Sequence, residues 1–129
     1  MNLIKKINVK NAPGAIGPYS QGTILEPFIF ISGQIPIDPK SAIISEKDII
    51  GQTKQVIENI DAILKGIGLT SKNVIKTNCY LSNMENFDKF NGEYAKYFQT
   101  KPARSCVCVK ALPKGALIEI EVTAVKDIN

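Results

Sequence analysis

Alternating strands and two amphipathic helices predict an α+β fold, a mostly antiparallel sheet carrying both helices on one face. Three observations carry this. Short segments rich in β-branched and aromatic residues alternate polar and apolar side chains with a period of two, as half-buried strands do. Two longer segments repeat apolar residues every three or four positions, which lines one face of a helix. The segments run strands, helix, strand, helix, two strands, without repeat or linker, and 129 residues suit a single domain, 1–129, with a real core.

Ile4–Val9 reads as a short first strand. In Asn11–Gly22, NAPGAIGPYSQG, glycines and prolines lie too close together for a helix, so it is an ordered loop around Tyr19 leading into a strand. Phe28–Ser32 is a strand by content, and Ser32–Gly33 ends it where a backbone without a side chain lets a ligand approach. After a loop over Pro36–Ser45, Ser45 with Asp48 three residues on starts a helix. Ile49, Thr53, Val56, Ile57, Ile60, Ile63, Leu64 and Ile67 form its buried face, and Gly66 and Gly68 end it.

Val74–Leu81 alternates again, with Ile75, Thr77, Cys79 and Leu81 on the drier face and Lys76, Asn78 and Tyr80 on the wetter one. Ser82 or Asn83 then caps a second helix, Glu85 being spaced for a capping box with Ser82. Its stripe of Phe87, Phe90, Tyr94, Tyr97 and Phe98 is core, and Asn91 lies near the strand ends. In PARSCVCV, Pro102–Val109, the side chains of Arg104, Cys106 and Cys108 share one strand face and Ser105, Val107 and Val109 the other, which is expected to pack inward. A turn at Pro113–Gly115 leads to a last strand, Leu117–Val125, with Ile118, Ile120, Val122 and Ala124 inward and Glu119 and Glu121 outward. A hairpin of these two strands would put Glu119 or Glu121 on the face of Arg104, either as a cross-strand ion pair or as a base beside a carboxylate anchor. The sheet face left uncovered carries Phe28, Phe30, Tyr80 and Val125, which points to a partner subunit.

Composition narrows the chemistry. An apolar fraction of 44% with 22% charged residues is that of a globular protein rather than a disordered one. The net charge of +4 comes from scattered lysines without a clustered patch, which argues against nucleic acid. Three cysteines lack zinc spacing and fit a reducing cytosol. With no histidine, Ser-His and Cys-His nucleophilic systems and imidazole bases are excluded. No apolar run approaches a membrane span, and the charged start MNLIKKINV leads to the expectation of no secretory segment. Fifteen of the sixteen basic residues are lysine, and Arg104 is the exception. A chain that otherwise uses lysine has a geometric use for one planar fork, and a bidentate carboxylate ligand is the first such use, a solvated strand position or a structural ion pair being the other reading.

Four stretches in order resemble the RidA/YjgF family of imine deaminases: NAPGAIGPYSQG, FISGQIP at Phe30–Pro36, RSCV at Arg104–Val107, and LPKGALIEIEVTAV at Leu112–Val125. The resemblance implies a chorismate-mutase-like fold in a homotrimer, sheets inward, with clefts between subunits. It implies hydrolysis of reactive enamines and imines, such as 2-aminoacrylate, 2-iminopropanoate and 2-iminobutanoate, to 2-oxo acids and ammonia, with no cofactor and no metal. Carried onto this chain, Arg104 grips the substrate carboxylate, and Glu119 orients or deprotonates water, Glu121 having the weaker claim. Tyr19, Ser32 and Gly33 line the pocket and Asn91 shapes it. The backbone of Cys106 bonds the imine nitrogen while its thiol fills space. The expected partners are imino and enamino acids and further copies of the chain, in the cytoplasm, with neither membrane nor nucleic acid. A small-carboxylate sensor is the first alternative, and an RNA-directed activity the second. A holdase-type chaperone has no residue signature.

Overall fold

The structure, a computed structural model, describes residues 2–127. Its strands and helices are β1 (Lys5–Ile7), β2 (Gly22–Leu25), β3 (Phe28–Gln34), α1 (Ile49–Gly66), β4 (Val74–Leu81), α2 (Phe87–Tyr97), β5 (Ala103–Cys108) and β6 (Ile118–Val125). The six strands form one sheet in the order β1-β2-β3-β6-β4-β5. It is mixed: β4 and β5 run parallel, and the other ladders are antiparallel. Ile29, Ile31, Thr77, Cys79, Leu81 and the even-numbered residues of β6 point to one face. There they meet Val56, Ile60, Ile63 and Leu64 of α1 and Phe90 and Tyr94 of α2 in the core. Both helices therefore cover one face, as the periodicity predicts. β6, with four fully apolar inward side chains, takes a central position where each of them is buried.

The expected hairpin of the last two strands does not form. β4 reaches β5 through α2, and a helical crossover of this kind delivers a parallel neighbour. β6 inserts between β3 and β4, leaving β5 at the edge. The faces of β5 are also inverted relative to expectation. Thr77 pairs with Arg104 and Cys79 with Cys106, so these side chains lie on the helix face, while Val107 is exposed on the open one. A guanidinium satisfies that position because α2 presents aromatic rings to it.

Other expectations shift locally. Gly22–Leu25 is a strand of its own, too short to show a period. The α1 cap is Asp48, whose carboxylate accepts the Gly51 N–H at 2.8 Å, rather than Ser45. Asn83 accepts the Glu85 N–H at 2.9 Å and opens a short 3₁₀ turn before α2, in place of a Ser82–Glu85 box. Ile75 is exposed because the β4–β6 register slips between Val74 and Lys76, so Val74 takes the buried place. On the open face, Leu25, Phe28, Phe30 and Val107 stay exposed.

Candidate functional site

The predicted site residues fall into two groups on opposite faces of the sheet. The first gathers Tyr19, Ser32, Gly33 and Glu119. Its loop, Asn11–Gly22, is pinned by the buried Gln21, whose Oε1 accepts the Val9 N–H at 2.7 Å and whose Nε2 donates to the Val9 and Pro13 carbonyls, each at 3.0 Å. Ser32 ties the loop to β3: its Oγ donates to the Ser20 carbonyl at 2.6 Å and its N–H to that of Gln21 at 2.9 Å. Tyr19 is thereby held beside Ser32, with its ring half in solvent.

Between Ile31 and Gln34 the strand β3 is bulged against β6, since Ile31 faces Val122 and Gln34 faces Ile120. The extra residue turns Ser32 and Gly33 out of the regular ladder, as bulges beside functional sites do. Glu119 packs over Gly33. A Cβ there would overlap the carboxylate oxygen Oε2 and lie 2.8 Å from Cδ, so only glycine leaves this carboxylate its place.

Glu119 and Glu121 share the open face of β6 but differ in surroundings. Tyr80 stands opposite Glu119 in the ladder, yet its hydroxyl donates to Glu121 Oε1 at 2.6 Å, and Asn78 Nδ2 donates to the same oxygen at 3.1 Å. That bond to a carboxylate, with some burial, pushes the Tyr80 hydroxyl up to about 12. Among the described residues no side chain hydrogen bonds to Glu119. Burial, and then the charge of Glu121, raise its pKa above the usual carboxylate range. A carboxylate whose surroundings raise its proton affinity is suited to acid–base chemistry. Tyr19 stands between two hollows on this side. One is lined by Lys6, Phe30, Ser32 and Glu121, the other by Gly33, Lys114, Glu119 and apolar side chains.

The second group is Arg104, Asn91 and Cys106. Arg104 Nη1 donates to Asn91 Oδ1 at 2.7 Å, and the guanidinium carbon sits 4.9 Å from the Tyr94 ring centroid, with Phe87 and Phe90 at 5.7 and 5.9 Å. The Tyr94 hydroxyl is itself bonded to Thr77 Oγ1 at 2.7 Å. The fork is thus oriented by an amide and an aromatic floor, and Asn91 acts on it directly. Burial raises the Cys106 thiol against the lowering effect of Arg104, and burial pushes Cys79 up to about 12. Neither shift favours the thiolate that a nucleophilic cysteine requires. Among the described residues no three His, Cys, Asp or Glu are placed to hold a metal ion, and no helix is long and apolar enough to cross a membrane.

Gln21, Asn78, Tyr80 and Tyr94 act on these groups without a sequence signal for that role. Asn78 and Tyr80 stand out only once the β4–β6 register is known.

The family model described as endoribonuclease L-PSP matches residues 9–126. A RutC family protein of Pyrococcus horikoshii is 52% identical over 122 residues, covering 94% of this chain and 97% of that protein. The 2-iminobutanoate/2-iminopropanoate deaminase of Salmonella typhimurium is 43% identical over 126 residues, covering 95% and 98%. Among solved structures, Escherichia coli TdcF with bound serine has a TM-score of 0.90 and 38% identity, covering 95% of this chain and 99% of that one. A match that spans the loop of Tyr19, the bulge of Gly33, the arginine strand and the glutamate strand together makes this chain a member of the endoribonuclease L-PSP family, the RidA/YjgF family its motifs resemble.

Proposed function

We propose that the chain is a deaminase that hydrolyses reactive enamines and imines, among them 2-aminoacrylate, 2-iminopropanoate and 2-iminobutanoate, to 2-oxo acids and ammonia. It works as a homotrimer whose sites lie between subunits, without metal or cofactor. The observation that carries the reading is Glu119: a half-buried carboxylate with raised proton affinity, free of side-chain hydrogen bonds among the described residues, at the wall of a hollow. The name of the Salmonella relative supports the chemistry.

An iminium carbon is already electrophilic, so the protein has to fix the substrate, place water and move protons. Arg104 of one copy holds the carboxylate through its fork. Glu119 of another takes a proton as water oxygen adds to C2 and the C=N π electrons pass to nitrogen. It then returns the proton to nitrogen, the C–N bond breaks and ammonia leaves, while the hydroxyl proton on C2 passes back to Glu119 and on to solvent as the carbonyl forms. Glu119 and Glu121 attract the iminium cation, and the same pair of carboxylates repels a phosphate backbone, which favours this substrate over RNA.

The test is 2-oxo acid release from freshly generated 2-aminoacrylate, with spontaneous hydrolysis subtracted, for wild type, Arg104→Lys and Glu119→Gln. Acceleration by wild type that both substitutions lower by about 10²-fold or more is the expected result. A folded, assembled wild type that binds small carboxylates without accelerating hydrolysis would replace the enzyme with a sensor.

A further inference from the structure

We propose that the hollow beside Glu119 receives the substrate side chain and makes the protein selective for imines bearing propyl to isobutyl side chains over the methyl-bearing imine derived from alanine. This rests on the imine-hydrolase reading and adds the substrate class to it.

The hollow has a volume of about 400 Å³. Its walls are Ala15 and Ile16 from the loop before β2, Ile35 and Ile37 after β3, and Pro113 before β6. All belong to one chain. Both walls are anchored by buried amides. Asn59 of α1 donates to the Ile37 carbonyl at 2.9 Å, and Gln21 donates to the Pro13 carbonyl at 3.0 Å. A hollow held this way is preformed, and it lies within the size range of small-molecule pockets, roughly 300–1,000 Å³.

Direction follows from charge. On the proposed mechanism the substrate carboxylate goes to Arg104 of a neighbouring copy, since in its own chain Arg104 lies on the other face, and Lys114, the cation on the lining, is exposed at the rim. With C2 over Glu119, the side chain is left the inward direction, along an aliphatic wall. A methyl group covers little of that wall. Each further methylene covers more, and in an apolar pocket one methylene changes kcat/KM by roughly 10–200-fold. The ionic side chains on the lining are Glu119 and the exposed Lys114, and the neutral polar ones are Tyr19, Gln21 and Gln34; the amides of Gln21 and Gln34 already donate to backbone carbonyls, so the rest of the wall is aliphatic.

The experiment generates imines in place with an L-amino-acid oxidase and catalase from alanine, norvaline, leucine and glutamate, and follows 2-oxo acid formation by the intact protein. The norvaline- and leucine-derived imines should exceed the alanine-derived one by about tenfold or more in kcat/KM. Ala15→Phe, which fills the hollow from an exposed loop position, should lower the leucine-to-alanine ratio by about the same factor. Ile35→Ala, which enlarges it, should raise the ratio and serves if the first variant does not fold. Equal rates for all imines, a preference for the glutamate-derived one, or a ratio that neither substitution moves would overturn the subsite while leaving the deaminase reading intact. No acceleration of any imine would overturn the deaminase reading itself, and this proposal with it.

Discussion

Glu119 and Glu121 are identical side chains two positions apart on one strand face, and what separates them is who donates to them. Tyr80 and Asn78 both spend their donors on Glu121, which then stands as a fixed charge beside Glu119. Glu119 must be ionised to accept a proton from water, so kcat/KM should rise with pH through a pKa above the ordinary carboxylate range. Glu121→Gln removes one of the two causes of that elevation, so its acidic limb should move to lower pH, read as kcat/KM between about pH 4 and 8. An unmoved limb would mean that Glu121 is not what tunes Glu119. Glu119→Gln should lower turnover by about 10²–10⁴-fold, the usual contribution of a general base. The same substitution has a stability signature. A carboxyl whose folded pKa is raised contributes stability that is present below its unfolded pKa and lost as pH rises through the folded one. Glu119→Gln should therefore leave thermal stability unchanged in acid and raise it slightly near neutrality, by under about 1 kcal/mol because the group is half exposed and screened. Arg104→Lys keeps the charge but loses the planar fork held by Asn91 and Tyr94, and a misplacement of this kind should cost about 10²-fold in kcat/KM.

At the level of elements, the site depends on a loop with no regular structure being held still. Gln21 does this through three hydrogen bonds between 2.7 and 3.0 Å. Gln21→Ala leaves the Val9 and Pro13 groups without these partners and should cost about 1–3 kcal/mol, measured by thermal unfolding, with a loss of activity through Tyr19 and Ser32. Apart from β2, the elements themselves were legible in the sequence, because a period of two or of 3.6 is a local property. Ile118, Ile120, Val122 and Ala124 announce a strand and its inward face without help from any partner. The phase of β5 was not legible. Arg104–Cys106–Cys108 against Ser105–Val107 gives two faces of similar polarity, and only the aromatic floor of α2 decides that the arginine face is the covered one. The partner of β5 was equally hidden, since a short turn after it suggests a hairpin while the preceding crossover through α2 places it beside β4. Of the site, the residue types and the glycine were readable. Their division between two faces, and the clamps by Gln21, Tyr80 and Asn78, required the register.

That division has a consequence for the whole molecule. Arg104 and Asn91 lie on the helix face at the sheet edge, whereas Tyr19, Ser32, Gly33 and Glu119 lie toward the open face and its neighbouring loop. On the proposed mechanism, the anchor and the base at one substrate then come from different copies of the chain. The open face also leaves Phe28 and Phe30 43% and 46% exposed, an area of apolar side chains that a second copy would cover. Phe30→Asp should therefore lower both the mass in solution and the activity, while the monomer keeps its secondary structure. The sharper experiment mixes two inactive proteins. Arg104→Lys retains a native Glu119 and Glu119→Gln retains a native Arg104, so co-refolding them in equal amounts forms native sites only where the two meet in the right order. With random assembly into a ring whose sites take one group from each neighbour, about one quarter of the sites are native, and activity should return to about that fraction of wild type. A site built within one chain predicts no recovery, because every chain in the mixture then carries one defective half. An affinity tag on one variant, which retains the untagged variant only from mixed assemblies, decides whether a lack of recovery comes from failed co-assembly, and a co-assembled but inactive mixture would place both groups of each site in the same chain.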